Sequence, residues 1–168
     1  PLSCINFVEL VHRAGLPKEW CQAIVCKSSL AEKLATAEGV GYVSFIGSAK
    51  IGWSLRSKLA PGTRCGLEHG GVAPVIIDSS ADIEKLIPVL TKGAFYHSGQ
   101  VCVSVQRVFV HEKIFDQVVS ALVSEARKLK VGDPASKDTD LGPLINPGEV
   151  ERVAAWVEEA RQLGAGIA

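Results

Sequence analysis

The 168-residue sequence contains no methionine. Its formal net charge is zero, because 18 Lys and Arg residues balance 18 Asp and Glu residues. No basic block stands out, which argues against nucleic acid or an anionic membrane surface as a partner. No apolar run approaches the ~20 residues that a membrane helix needs, and no secretory signal opens the chain. Because the chain starts at Pro1 without an initiator, we expect it to be a piece of a longer protein.

Paired cysteine motifs are also missing. The five cysteines are odd in number and none forms C-x-x-C. Without a secretion signal, this pattern predicts reduced thiols and a cytoplasmic protein. No metal site is expected, because Cys21 and Cys26 have no second close pair to complete a zinc ligand set. What the chain does contain, 47% hydrophobic and 21% charged residues, is typical of a globular protein.

Helix and strand patterns alternate through the first part of the chain. Helical spacing covers residues 1–14, 29–37 and 48–59, the second opening with an S-x-x-E capping pattern at Ser29 to Glu32. Short apolar runs at 22–25, 42–46 and 63–67 are strand candidates. This alternation predicts an α/β fold with a parallel sheet covered by helices.

The same pattern restarts after Gly70-Gly71. We expect strands at 74–77 and 103–110, helices at 82–96 and 113–129, and a loop at 131–146 rich in Gly, Pro and Asp. Asn146-Pro147 then predicts the start of a last helix, with Asn as the cap and Pro in the first turn.

Three short segments have residue types suited to chemistry. In the first, Phe45-Ile46-Gly47-Ser48, a strand ends, a glycine turns the chain and a helix begins with a hydroxyl residue. Free N–H groups at such a helix start suit a pyrophosphate. G-x-G-x-x-G is absent, and a strand–Gly–helix turn is equally typical of α/β proteins that bind no nucleotide.

The second segment is Leu67-Glu68-His69-Gly70-Gly71, which sets a carboxylate at a strand end before two glycines. On the residues alone, a carboxylate at such a position is more often a solvated surface group than a functional one. The paired glycines indicate close approach of the backbone to another group, or a hinge.

The third segment is Ser98-Gly99-Gln100-Val101-Cys102. Gly99 ends a helix, and Cys102 lies in the loop before the next strand, where reactive groups are common. A thiolate there is a candidate nucleophile. A Cys–His pair with His97 or His111 is less favoured, because neither histidine lies in a papain-like context.

The order of these three segments resembles the sequence pattern of the aldehyde dehydrogenase superfamily, which reads Phe-x-Gly-Ser, then Leu-Glu-x-Gly-Gly, then Gly-Gln-x-Cys. Glu68 and Cys102 are 34 positions apart, as is usual in the family. Further segments agree over the whole chain: Ala14 to Pro17, Ala81 to Ile83, Arg107, Lys130 to Pro134 and Gly142 to Leu144.

The resemblance implies an aldehyde dehydrogenase-like α/β fold in two parts. Residues 1–70 would be the second half of a Rossmann-like cofactor domain, and 71–168 the first part of the catalytic domain. The residues implied to bind NAD or NADP are Phe45, Gly47, Ser48, Ile51 and Gly70. Glu68 and Cys102 are implied to face each other across the cleft between domains.

The resemblance also implies a mechanism and partners. The Cys102 thiolate attacks a small-molecule aldehyde to give a thiohemiacetal, hydride leaves to the nicotinamide, and Glu68 activates the water that hydrolyses the resulting thioester. No metal is required, and the full-length protein is expected to form a homo-oligomer.

Some positions depart from the family pattern. Val25 to Ser29 lacks the glycine that many members have, and His69 replaces a commoner apolar residue. The family's oxyanion-hole Asn and cofactor-contacting Lys are expected upstream of Pro1, and its second Glu downstream of Ala168. Two alternatives follow: a relative that passes the thioester to coenzyme A, or a catalytically silent fragment or assembly module.

Overall fold

The computed structural model describes residues 2–168, which form two compact units, one ending at Glu68 and the other starting at His69. The predicted boundary at residue 70 lies close to this division. The assignment of the two units to a cofactor domain and a catalytic domain stays a prediction.

The described residues of the first unit form three α-helices and two strands, with a short 3-10 helix at Lys18–Trp20. In chain order these are α1 (Leu2–Arg13), α2 (Ser28–Ala35), β1 (Tyr42–Ile46), α3 (Ala49–Arg56) and β2 (Arg64–Glu68). The two strands pair in parallel, with Tyr42 opposite Arg64 and Ile46 opposite Glu68. Both strands therefore end at the same edge of the sheet, which is where α/β folds place ligands.

The second unit contains two strands and three helices. These are β3 (Val75–Ile77), α4 (Ile83–Phe95), β4 (Val108–Val110), α5 (Phe115–Ala126) and α6 (Pro147–Gln162). The strands again pair in parallel, with Val75 opposite Val108. The parallel pairing predicted from the sequence is confirmed in both sheets.

A small apolar core holds the second unit together. Ile77 of β3, Ile87 and Leu90 of α4, and Val118 of α5 are each at most 6% exposed. Part-buried side chains of both strands and both helices pack around them. This core sets α4 against the sheet, and α4 leads directly into the segment that contains Cys102.

Side-chain caps start the helices close to where the sequence predicts. The Asn146 side chain accepts a hydrogen bond from Glu149 N at 3.0 Å, which confirms the predicted start of α6. Asp82 caps α4 in the same way, and hydrogen bonds from Lys85 hold the pKa of its carboxyl below its ordinary value. The S-x-x-E prediction for α2 is wrong, because this helix begins at Ser28 after Lys27 and has no side-chain cap.

Two strand predictions fail for lack of backbone partners. Residues 22–25 belong to no strand. The strand predicted from Val103 begins only at Val108, because the preceding N–H groups bond elsewhere: Val105 N donates to Gly93 O and Gln106 N to Val72 O, each at 3.0 Å.

All five cysteines are free thiols. Within residues 2–168, no cluster of three or more His, Cys, Asp or Glu side chains is arranged to hold a metal ion. In that same range, no helix has both the length and the apolar character needed to cross a bilayer.

Candidate active site

The turn from β1 to α3 contains four of the residues predicted to bind the cofactor. Ser48 is the N-cap of α3, and its Oγ accepts a hydrogen bond from Ile51 N at 3.4 Å. Ser48 and Ile51 are exposed, and the first turn of α3 contains no acidic residue. The other N–H groups of that turn, those of Ala49 and Lys50, have no intrahelical carbonyl to bond. This helix start can therefore accept an anionic group.

Gly47 is needed at this turn because the ring of Phe45 lies over it. A Cβ atom at position 47 would be 2.6 Å from Cζ and 3.0 Å from Cε1 of that ring. Both distances are shorter than van der Waals contact, so a larger residue would displace the ring. Phe45 is half-buried, and its position depends on the glycine two residues later.

Glu68 lies beside this turn because of the strand register. Gly47 N donates to Glu68 O at 3.1 Å, which extends the parallel ladder one bond beyond the last strand pair. The Glu68 side chain is exposed at the end of β2. The predicted general base and the predicted phosphate turn are thus neighbours in the first unit.

The backbone before Cys102 adopts an unusual conformation. His97, Ser98 and Gly99 have φ angles of 48°, 58° and 73°, so three successive residues are left-handed. This conformation is unfavourable for the two residues that have a side chain, by roughly 1–2 kcal/mol each. Other contacts must offset that strain, and they are found in the segment 142–145.

Two side chains tie the strained turn to segment 142–145. Ser98 Oγ donates to Gly142 O at 2.7 Å. The Gln100 amide donates through Nε2 to His97 O at 3.1 Å and to Pro143 O at 3.4 Å, and its Oε1 accepts from Ile145 N at 2.9 Å. The Gln100 side chain thus bonds His97 at the start of the turn and also bonds a segment more than forty residues later in the sequence.

Cys102 lies in a tight turn that follows this clamp. Ser104 N donates to Val101 O at 3.0 Å, which places Cys102 and Val103 at the two central positions of the turn. The Cys102 side chain is exposed. A thiol held outward on a hydrogen-bonded turn is accessible to a substrate carbonyl.

Of the glycine pair predicted to approach another group, only Gly71 has a neighbour, because a Cβ at Gly70 would meet nothing within 4 Å. Gln106 Nε2 donates to Gly71 O at 3.0 Å, and a Cβ at Gly71 would be 3.8 Å from Cys102 O. Gly70, the remaining predicted cofactor residue, is exposed beside it. The segment that follows Glu68 therefore lies against the nucleophile turn.

The structure brings the predicted residues together in two groups. Phe45, Gly47, Ser48, Ile51 and Glu68 share one end of the first sheet, and Gly70 and Cys102 lie in the second unit. The motifs gave no role to the side chains of Gln100 and Gln106. The sequence shows a glutamine on each side of Cys102, but it does not show which distant backbone groups these side chains bond.

The chain is similar to known proteins over its whole length. The family model described as aldehyde dehydrogenase family matches residues 1–168. The 3-sulfolactaldehyde dehydrogenase of Priestia aryabhattai is 38% identical over 168 residues, which are 99% of this chain and 35% of the relative.

Solved structures show the same fold. The betaine aldehyde dehydrogenase of Staphylococcus aureus in complex with NAD+ matches with a TM-score of 0.90 and 31% identity, over 98% of this chain and 33% of that one. The glyceraldehyde-3-phosphate dehydrogenase of Methanocaldococcus jannaschii complexed with NADP matches with a TM-score of 0.91 and 34% identity, over 98% and 37%.

The chain spans about a third of the length of these relatives. The predicted aldehyde dehydrogenase-like α/β fold is confirmed by the structural matches. Since the family model extends over every position, the chain belongs to the aldehyde dehydrogenase family.

Proposed function

We propose that the full-length protein oxidises an aldehyde to a carboxylic acid with NAD or NADP, using Cys102 as the nucleophile and Glu68 as the general base. The observation that carries this proposal is the family match over residues 1–168, a range that contains both Cys102 and Glu68. The relatives above are named for different aldehydes, so the family alone does not select the substrate.

The residues of the first unit fit a dinucleotide. The exposed start of α3 offers N–H groups to a diphosphate, Ser48 offers a hydroxyl, and Lys50 adds a positive charge in the first turn. When bound, the cofactor supplies the hydride acceptor. In two of the related structures the bound molecules are NAD+ and NADP.

The reaction begins at the thiol. The Cys102 thiolate adds to the aldehyde carbonyl carbon, and the carbonyl oxygen becomes the oxyanion of a thiohemiacetal. Backbone N–H groups near the turn, that of Cys102 included, stabilise this charge. Loss of hydride from the former aldehyde carbon re-forms the carbonyl and leaves a thioester on Cys102.

Glu68 completes the cycle by hydrolysis. Its carboxylate takes a proton from water, the hydroxide oxygen attacks the thioester carbon, and the C–S bond breaks to return the thiolate. Glu68 is exposed at the end of β2 and accessible to water. An active carboxylate base favours water over coenzyme A as the acyl acceptor.

The test uses the full-length polypeptide that contains these residues. Aldehydes are supplied with NAD+ or NADP+, and reduced nicotinamide is followed. Cys102→Ala should abolish turnover, whereas Cys26→Ala, which removes another exposed thiol, should leave the rate close to wild type. Normal oxidation by Cys102→Ala would refute the proposal.

The role of Glu68 has its own kinetic signature. Glu68→Gln should lower steady-state turnover by about 10²–10⁴-fold, since a general base contributes roughly that much. A rapid burst of reduced cofactor should remain, because the steps before hydrolysis do not need the carboxylate. Loss of burst and steady state together would assign Glu68 an earlier role. Formation of an acyl-coenzyme A product by the wild type would favour the acyl-transferring alternative.

A further inference from the structure

A groove of about 390 Å³ begins one residue beyond the nucleophile. Its lining residues come from α4, from the start of the strained turn and from the turn that contains Cys102: Val89, Lys92, Gly93, Tyr96, Val103 and Ser104. Val103 directly follows Cys102, and its side chain is 69% exposed. One wall of the groove therefore directly follows the nucleophile in the same turn.

The groove has one positive charge and no negative one. Lys92 is exposed, and its ammonium makes no ion pair within residues 2–168. A second groove, which Lys92 also lines, contains Glu125 and Asp140. Both are engaged elsewhere, since Glu125 pairs with Lys128 at 2.6 Å and Asp140 accepts from Lys130 N at 2.8 Å. Neither carboxylate forms an ion pair with Lys92.

A buried hydroxyl in the same groove also lacks a partner. Ser104 is 3% exposed, and its Oγ has no hydrogen-bond partner among the residues that the structure describes. A buried hydroxyl is usually paired, because leaving it unpaired costs free energy. The backbone holds Ser104 close to α4, since the next residue, Val105, donates from its N–H to Gly93 O at 3.0 Å.

We propose that this groove selects aldehydes with an anionic group, which is bound by the Lys92 ammonium and the Ser104 hydroxyl while the carbonyl lies at Cys102. The inference rests on the proposed function and adds its substrate class. Carboxylate, sulfonate and phosphate share the required chemistry, because each presents oxygens that accept charge-assisted hydrogen bonds. The apolar side chains Val89 and Val103 leave room for a short aliphatic link between the two ends.

The experiment compares two aldehydes of equal chain length with the full-length protein. Succinic semialdehyde has a terminal carboxylate, and butanal is its neutral counterpart. The measured quantity is the ratio of their kcat/KM values, which cancels changes in the thiol itself. We expect a wild-type ratio above one that falls as ionic strength rises.

Two variants of Lys92 separate charge from shape. Lys92→Met should lower the ratio about tenfold, because it removes a charge-assisted contact, and Lys92→Arg should keep most of it. Ser104→Ala should lower the ratio about threefold. Lys85→Met is the matched control: it removes a charge from the same helix outside the groove and should leave the ratio as in wild type.

The outcomes distinguish the two proposals. If both aldehydes are oxidised and Lys92→Met leaves the ratio unchanged, the anion site is wrong and the proposed oxidation stands. The same conclusion follows if Lys85→Met lowers the ratio as much as Lys92→Met. If the wild type oxidises neither these aldehydes nor any other in a broad panel, the proposed function fails, and the inference fails with it.

Discussion

Replacement of Gln100 should loosen the turn before Cys102. Its side chain makes three hydrogen bonds: to His97 O at 3.1 Å, to Pro143 O at 3.4 Å and from Ile145 N at 2.9 Å. An ordinary hydrogen bond contributes about 0.5–1.5 kcal/mol, and exposure and the long bond to Pro143 favour the low end. Two of the three bonds join the turn to segment 142–145, so Gln100→Ala should destabilise the clamp by about 1 kcal/mol, which is about a fivefold shift in its opening equilibrium.

Amide hydrogen exchange measures this opening directly. In Gln100→Ala the Ile145 amide should exchange about fivefold faster, because its acceptor is gone. The His111 amide, which bonds Ile77 O at 3.0 Å in the core sheet, is the internal reference and should not change. Gln117→Ala, an exposed glutamine on α5 without a side-chain hydrogen bond, is the control variant.

A second substitution tests the donor half of the clamp. Gln100→Glu keeps an acceptor for Ile145 N but turns a carboxylate toward the carbonyl oxygens of His97 and Pro143. Repulsion between these oxygens should speed exchange of the Ile145 amide at least as much as the Gln100→Ala substitution does. Wild-type exchange at Ile145 in both variants would refute the clamp and leave the strained turn without the support described above.

Two further substitutions test other parts of the chain. Gly47→Ala should raise the Kd for NAD or NADP up to about tenfold in calorimetric titration, because the new Cβ displaces the Phe45 ring at a cost of roughly 0.5–1.5 kcal/mol. Gly41→Ala, where a Cβ meets nothing within 4 Å, should bind as wild type does, and equal Kd values would contradict this role. Leu90→Ala should destabilise the second unit by about 2–5 kcal/mol in urea unfolding, since Leu90 is 3% exposed. Val89→Ala, at 70% exposure on the same helix, should cost far less, and similar losses would refute the assigned core.

Local signals gave the correct elements. Strand β1 was predicted with its observed bounds, and the start of α6 followed from Asn146-Pro147. Both depend on residues within a few positions: an apolar run, a cap and a proline in the first turn. Such signals do not require knowledge of what lies elsewhere in the fold.

The predictions that fail are strands whose formation depends on hydrogen-bond partners far away in the sequence. Val103 to Val110 has the composition of a strand, but the N–H groups of Val105 and Gln106 bond a helix carbonyl and a loop carbonyl. Residues 22–25 include the strand-forming residues Ile24 and Val25, yet they belong to no strand. Strand propensity describes a side chain's fit to a sheet and does not supply the neighbouring strand.

Part of the candidate site could likewise be predicted from local sequence, and part could not. Cys102, Glu68 and the Gly47-Ser48 turn were visible as motifs, because their chemistry depends on residue type. The groove beside Cys102 was not visible. Lys92 precedes the thiol by ten positions on a helix, and only the packing of α4 against Ser104 and Val105 shows that they share a surface.

The hydrogen bond from Gly47 N to Glu68 O determines which length changes the first unit can accept. The crossover between the two residues turns at Pro61-Gly62, where Gly62 has a φ of 87°, and lies outside the ladder. Residues inserted there would lengthen the connection and leave the ends of both strands in register. One residue deleted within β2 would instead move the Glu68 carboxylate to the opposite face of the sheet, because side chains alternate along a strand. Natural variation in length is therefore expected at the crossover turn and excluded from the five residues of β2.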